Sequence, residues 1–369
     1  MQTVTVGAAG LAVTPARVRH LAPNPQPGRP GRDRPDHGRR RAGRRPHPGR
    51  HVMITTQGSS QRITTADPGH SGRTATPAIA FLGTGGMGGP MAANLARAGF
   101  DVRAWDRTAT RASSLADDGA SPAASPAEAV RGAGILITML ADGPATEQVW
   151  NGLGGPTAGP GLIWVQMATV GMEWTQRLAD AAARSGVNFV DAPVSGSRGP
   201  AEAGQLTILA SGPDWVQDVL APVFAVLGRA TAWLGPAGHG TRAKLVLNNW
   251  LADLTETTAE TLAFARELGL DPASVVDLLE STPLGSPYAM QKARSMLAGD
   301  FAPSFALKHA LKDAELAAQA AQASDAELAL TGALLPRWRR AAAAGHADDD
   351  LAAIYTTPLS VEPEGSPRP

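Results

Sequence analysis

From Ile79 onward the apolar positions fall into short continuous runs separated by stretches of helical spacing, an alternation that predicts strands and helices in turn. The runs are Ile79–Leu82, Val102–Trp105, 135–139, 162–166, 189–191 and Leu206–Ala210. Few polar residues interrupt them, as in strands covered on both faces, so an α/β domain is expected over 77–239, with a doubly wound, mostly parallel sheet. Near Gly238 the pattern changes. From there to about Tyr355 the spacing is helical and nothing strand-like remains, which predicts an all-α C-terminal domain over 240–355. Its first helix, 240–268, stops at Gly269, a residue suited to the left-handed position after a helix end. Further helices are expected at Pro272–Glu280, 288–298, 304–322, 326–344 and 348–355.

The first run leads into Gly83-Thr84-Gly85-Gly86-Met87-Gly88 and then a helix rich in small residues. Strand, tight glycine turn and helix together set a dinucleotide pyrophosphate on a helix N-terminus. Gly83 permits the bend, Gly85 lets backbone approach phosphate, and Gly88 lets the helix lie against the strand. The second run ends in Asp106, about twenty residues past the turn, where a carboxylate accepts the ribose hydroxyls of the adenosine. A Rossmann domain holding a nicotinamide cofactor follows. Asp106 favours NAD, because a carboxylate repels a 2′-phosphate. Arg107 and Thr108 beside it would receive that phosphate, so NADP is the alternative. The pattern calls for no metal.

At 369 residues the chain exceeds ordinary single-domain size, in keeping with two domains and tails. Its 33 basic and 33 acidic residues balance, it has no cysteine, and no apolar run nears the ~20 residues that span a bilayer. A soluble cytoplasmic protein without disulfides is expected, with neither membrane nor nucleic acid as a partner. The first fifty or so residues depart from that balance, being crowded with arginine, proline, glycine and histidine against two acids, Asp33 and Asp36. Residues 1–76 are expected to form a disordered basic leader, with Met53 as an alternative start. A polyanion-binding arm and a targeting peptide are the competing readings, and the prolines and glycines between Pro23 and Pro48 oppose the second. Residues 356–369 are expected to be a loose tail.

Lys244 and Asn248 stand four residues apart on the long helix, so they share a face. A lysine held beside a cofactor can exchange a proton with a substrate hydroxyl, and a neutral amide binds that substrate without competing for the proton. Upstream, Asp191-Ala192-Pro193-Val194-Ser195-Gly196-Ser197 is a strand end opening into a glycine-serine turn whose N–H and O–H groups suit a carboxylate.

On these blocks the chain resembles the β-hydroxyacid dehydrogenase family, which includes 3-hydroxyisobutyrate dehydrogenase and tartronate semialdehyde reductase. Segments 83–88, 191–197, 238–249 and 310–313 occur in the family's order, and the likeness spans 78–355. It implies an NAD(P)-dependent oxidoreductase of a small 3-hydroxy acid or its semialdehyde, with Lys244 as general acid and base. It further implies substrate contacts from Ser195, Gly196, Ser197 and Asn248, and cofactor contacts from 83–88, Met139, Leu140, Thr169 and Lys312. The helical part would mediate a homodimer or homotetramer. Two departures point away from the standard short hydroxy acids. The family's acid-x-serine-threonine segment, followed by a proline, here begins Gln166-Met167-Ala168-Thr169 and has Met172 for the proline, and Ser197 replaces a second glycine. Imine reductase-like chemistry is an alternative that Lys244 opposes, since those relatives lack the lysine. A phosphogluconate dehydrogenase would place a histidine close behind it, where Leu-Val-Leu-Asn-Asn follows. A noncatalytic cofactor-binding module is the other alternative. Tyr288 and Trp250 are expected to pack in the core.

Overall fold

The computed structural model describes residues 4–7, 60–65, 77–153 and 161–359. Two strands, β1 (Val4–Gly7) and β2 (Ser60–Thr65), fall within the segment expected to lack order. The rest of that expected leader, with Met53, lies outside the described residues, as does the tail from 360 onward.

Six parallel strands make the main sheet, in the order β5 (Ser121–Pro122), β4 (Val102–Trp105), β3 (Ile79–Leu82), β6 (Ile135–Thr138), β7 (Ile163–Gln166) and β8 (Asn188–Asp191). Its connecting helices are α1 (Gly88–Arg97), α2 (Ala109–Ser113), α3 (Pro126–Val130), α4 (Gly143–Asn151) and α5 (Met172–Arg184). The chain runs outward from β3 to β5 and then returns to the other side of β3 for β6, which opens a topological switch point between β3 and β6. Alternation along β3 fills both faces. Ile79 and Phe81 join Met91 and Leu95 of α1 in one core, while Ala80 and Leu82 join Leu136, Trp164 and Leu178 in the other.

A second sheet corrects the expectation that Leu206–Ala210 belongs with the first. It contains β9 (Val194–Ser195), β10 (Leu206–Ala210) and β11 (Gly228–Trp233), the first and last not foreseen, with α6 (Arg198–Glu202) and α7 (Val216–Leu227) between them. β10 pairs parallel with β11 and antiparallel with β9, and β2 lies antiparallel on β11. The two sheets touch through a bridge between Asp191 and Ser211, just past the end of β10, so β10 diverges from β8 instead of extending its ladder.

The helical domain opens with α8 (His239–Glu267), 29 residues long. Gly269, at φ 73°, ends it by turning the Leu270 amide back to Ala265 O at 2.9 Å. α9 (Pro272–Glu280), α10 (Pro287–Ala298), α11 (Leu307–Ala323) and α12 (Ala329–Ala343) follow, and Leu351–Thr356 is a 3₁₀ segment where an α-helix was expected. Ala252, Ala259 and Leu262 of α8 meet Met290, Ala314 and Trp338 in one core. Two buried ion pairs hold the end of the domain. Lys292 Nζ lies 2.5 Å from Asp350, which also accepts from the Ser304 hydroxyl at 2.7 Å. Arg337 pairs with Glu256 at 2.7 Å and donates to the Ile354 and Thr357 carbonyls. Tyr288 is half-buried and bonded to Thr255 at 3.0 Å. Trp250, expected in the core, is 63% exposed, because it falls on the side of α8 opposite its buried stripe. Among the described residues no helix is long and apolar enough to cross a membrane.

Candidate active site

The C-terminal ends of five strands lie in register as Trp105, Leu82, Thr138, Gln166 and Asp191. The residues that follow them, Asp106, Gly83, Met139, Met167 and Ala192, form one lip over the switch point. Here the glycine turn and the loop after β6 touch. A Cβ on Gly83, which sits at φ 98°, would meet Met139 O at 2.4 Å and Leu140 Cδ2 at 2.9 Å. A Cβ on Gly88 would stand 1.9 Å from Gly83 O, so both glycines are required by the protein's own packing. Gly85 and Gly86 differ, having no protein atom within 4 Å of such a Cβ. Behind them α1, with Met87 at its N-cap, has no side-chain cap and no acid in its first turn. The Gly89 N–H donates to Gly85 O at 2.9 Å and Pro90 has no N–H, so the Gly88 end of the helix is what faces an anion. The Thr84 hydroxyl is buried without a hydrogen-bond partner.

Asp106 stands where the strand pattern puts it, yet its carboxylate turns inward. Oδ2 accepts the Thr84 N–H at 2.9 Å and Oδ1 the Thr108 N–H at 2.8 Å, with Arg111 at 3.8 Å. Arg107 and Thr108 are exposed beside it. After β7, Gln166 holds both ends of one residue, its amide donating to Ala168 O at 2.7 Å and its carbonyl accepting the Ala168 N–H at 3.0 Å. An ionised acid at that position would have no proton to donate, so the glutamine makes a clamp of its own kind.

The loop so clamped meets the helical domain. Lys312 of α11 donates to Thr169 O, and a Cβ on Gly171, at φ 85°, would lie 2.7 Å from Leu316 Cδ2. Next to Lys312 on the chain, Asp313 accepts from Asn248 Nδ2 at 2.7 Å. Its other oxygen lies 2.9 Å from Lys312 Nζ, off the line of a hydrogen bond, and has no hydrogen-bond partner. Lys244 is buried one turn before Asn248. Burial draws its pKa below the ordinary 10.5, the Asp313 charge opposes that shift, and Lys312 adds to it.

Ser195 ends the pairing of β9 with β10 opposite Thr207, and Gly196 follows at φ 134° with its Cβ position 2.8 Å from Leu206 Cδ2. Ser197 precedes α6 without capping it, so its hydroxyl makes no helix-capping bond. α8 is seated against the same edge. A Cβ on Gly240 would come within 2.1 Å of Leu209 O and 2.8 Å of Asp191 O. The structure thus joins Thr169, Lys312, Asp313 and Asn248 through one set of contacts, places Lys244 one helical turn before Asn248, and packs Gly83 against Met139 and Leu140. Four participants escape a reading of the sequence: Asp313, Arg111, and the pair Asp191 and Thr241, whose carboxylate and amide meet at 2.7 Å where α8 begins. A hint was present for Asp313, adjacent to Lys312, and for Asp191, a lone acid ending an apolar strand.

Residues 78–235 match the profile described as the NAD binding domain of 6-phosphogluconate dehydrogenase, and residues 238–357 match NAD-binding of NADP-dependent 3-hydroxyisobutyrate dehydrogenase. Glyoxylate/succinic semialdehyde reductase 1 of Arabidopsis thaliana is 34% identical over 75% of this chain and 96% of its own length. The cytokine-like nuclear factor N-PAC of Xenopus tropicalis is 32% identical over 75% of this chain, which spans 52% of that protein. Among solved structures, Mycobacterium tuberculosis 3-hydroxyisobutyrate dehydrogenase with L-serine superposes with a TM-score of 0.71 at 30% identity, covering 76% of this chain and 98% of the other.

Proposed function

The chain belongs to the β-hydroxyacid dehydrogenase family, an NAD(P)-dependent oxidoreductase family, and on that premise we propose that it interconverts a small 3-hydroxy acid and its semialdehyde, with Lys244 as general acid and base. The observation that carries this reading is the burial of Lys244 beside Lys312 and Asp313, which lowers its proton affinity toward the range useful for exchange. The bare N-terminus of α1, the room at Gly85 and Gly86 and the unpartnered Thr84 hydroxyl fit a dinucleotide pyrophosphate. When bound, the dinucleotide supplies the hydride acceptor or donor. Lys244 takes the substrate's hydroxyl proton on oxidation and returns it to the carbonyl oxygen on reduction. Asn248, fixed by Asp313, holds the reacting oxygen, and the Ser195–Gly196–Ser197 turn receives the carboxylate. Lys312 anchors the Thr169 loop at the nicotinamide end.

For the adenosine end, the inward turn of Asp106 moves the reading from NAD to NADP. Both carboxylate oxygens already accept backbone N–H groups, and Arg107 and Arg111 stand beside it to take a 2′-phosphate. Val246 and Trp250 near the start of α8, and Phe264 and the C-cap Leu268 at its end, are exposed on one side with Asp253 and Thr257 between them, and supply two apolar patches for a second copy of the chain, in a homodimer or larger homo-oligomer.

The test is absorbance at 340 nm with each cofactor against a panel of 3-hydroxy acids and semialdehydes, for the wild type and Lys244→Ala. Loss of at least about a thousandfold in kcat, with cofactor affinity retained, is the expected result. A variant that keeps near-normal kcat would remove the lysine from the mechanism. The N-PAC likeness favours one second reading, a module that binds cofactor without turnover, and tight cofactor binding with silence across the panel would select it.

A further inference from the structure

The first turn of α8 carries no side-chain cap of its own, since Gly238 stands at its N-cap at φ 94°. Its amides are met from elsewhere. The Thr241 N–H donates to Asp191 Oδ2 at 2.7 Å, and the Gly240 N–H donates to the Ser211 hydroxyl at 2.9 Å. The Thr241 hydroxyl donates to Asp191 Oδ1 at 2.7 Å. With its one proton so engaged, it is the acceptor of the 3.0 Å contact with the Thr175 hydroxyl of α5. Ser211 closes the circuit, its one proton shared between the Asp191 backbone carbonyl at 3.1 Å and Asp191 Oδ2 at 3.2 Å. All four side chains are buried, Asp191 and Ser211 completely.

Thr241, Lys244 and Asn248 fall at i, i+3 and i+7, one stripe of the helix. Two bonds to one carboxylate therefore fix more than the height of α8. They fix its roll about its own axis, and with it the position of the next two residues on that stripe. Asp191 ends β8 and lies four residues before Ser195, so the same carboxylate belongs to the segment that forms the substrate turn.

We propose that Asp191 and Thr241 form a joint that sets Lys244 and Asn248 relative to the Ser195–Ser197 turn, making both of them positioning residues for the reaction. The inference rests on Lys244 being the acid and base. Buried polar groups with every bond met in this way hold one arrangement, because any other leaves a donor or acceptor stranded. Around the joint the fold allows no slack, since the Gly240 Cβ position already lies 2.1 Å from Leu209 O. Asp191 itself is pushed toward a higher pKa by burial, against the pull of its bonds from Thr241 and Ser211.

Thr241→Val keeps the side-chain shape and the amide bond but deletes the hydroxyl, and Thr241→Ser keeps the hydroxyl. On full-length protein, Thr241→Val is expected to lower kcat per folded enzyme about 10- to 100-fold with cofactor Kd within twofold of wild type. The pH at which kcat falls to half should move, because Lys244 shifts against Lys312 and Asp313. Thr241→Ser should restore kcat to within about threefold. Should Thr241→Val fail to fold, Thr241→Cys decides. It keeps the amide bond and nearly the size while replacing the hydroxyl bond to Asp191 with a weak thiol donor, and is expected to lower kcat about threefold to tenfold with Kd unchanged. Wild-type kcat and an unmoved pH profile in the folded variant would overturn the joint. If Lys244→Ala remained active, the functional reading itself would fail, a result separate from any outcome at Thr241.

Discussion

Helices α1 and α8 begin alike, each after a glycine-bearing turn that follows an interior strand and each without a side-chain cap from its own residues. They diverge in what meets their amides. At α1 the Gly89 N–H stays within its own turn, on Gly85 O, and no side chain or first-turn acid meets the helix end, with empty space above Gly85 and Gly86. α8 is closed by the protein's own anion, the Asp191 carboxylate, at 2.7 Å from the Thr241 amide. An open helix end is a receptor for an external phosphate, and a closed one is a fixed point from which side chains further along can be positioned. The glycines follow the same division. At Gly240 the residue is small because protein crowds it, while at Gly85 it is small although no protein atom is near.

The sharpest way to break this contrast is to add one methyl group at each end. Gly240→Ala drives a Cβ into the Leu209 carbonyl and should cost about 3 kcal/mol or more, seen as a lowered Tm or as loss of soluble protein. Gly85→Ala should leave Tm within about two degrees of wild type while weakening cofactor binding at least about tenfold, measured by fluorescence titration. Equal cofactor affinity in that variant would mean that α1 does not hold the pyrophosphate. A smaller effect is expected in the pH profile. Oxidation needs neutral Lys244, so its rate should rise with pH along a limb centred below 10.5, and reduction should fall along the same limb. Lys312→Met removes a neighbouring cation and should move that limb to higher pH, whereas Asp313→Asn removes the opposing anion and should move it lower. The smallest effect belongs to the adenosine end, where Arg111→Ala should weaken NADP about tenfold and NAD less than twofold. Equal losses for both would return the carboxylate of Asp106 to a ribose role.

What could be foreseen from the chain followed from local repetition. β3 is apolar at every position because both its faces are covered, and the glycine turn is legible because each glycine answers a local demand. Lys244 and Asn248 were singled out by helical spacing together with the Asp191–Ser197 turn and the family resemblance. β11 was missed because it starts at Gly228 and carries Arg229 and Thr231 among its apolar residues, a pattern no run-based rule selects. Trp250 was misplaced since an aromatic residue on a long helix reads as core until the partners of that helix are known. The contacts that organise the site join residues far apart in sequence. Asp191 meets Thr241 50 residues on, Asn248 meets Asp313 across 65, and Lys312 reaches Thr169 across 143. No periodicity encodes such pairs. The direction in which Asp106 turns is equally invisible, since it depends on the Thr84 amide 22 residues away.

The pairs Lys292–Asp350 and Glu256–Arg337 bear on the order in which the molecule is made. Asp350 and the carbonyls of Ile354 and Thr357 are supplied by the last described stretch of the helical domain, while the cations they satisfy stand on α10 and α12, made earlier. During synthesis Lys292 lacks its carboxylate until Asp350 has left the ribosome, and Arg337, although Glu256 is already made, lacks its two carbonyls until residue 357 has followed. The cofactor half, whose two cores draw only on residues up to Trp233, has all its material well before that. The nascent chain can therefore complete its nucleotide-binding half while Lys244 still lacks the helical surroundings that tune it.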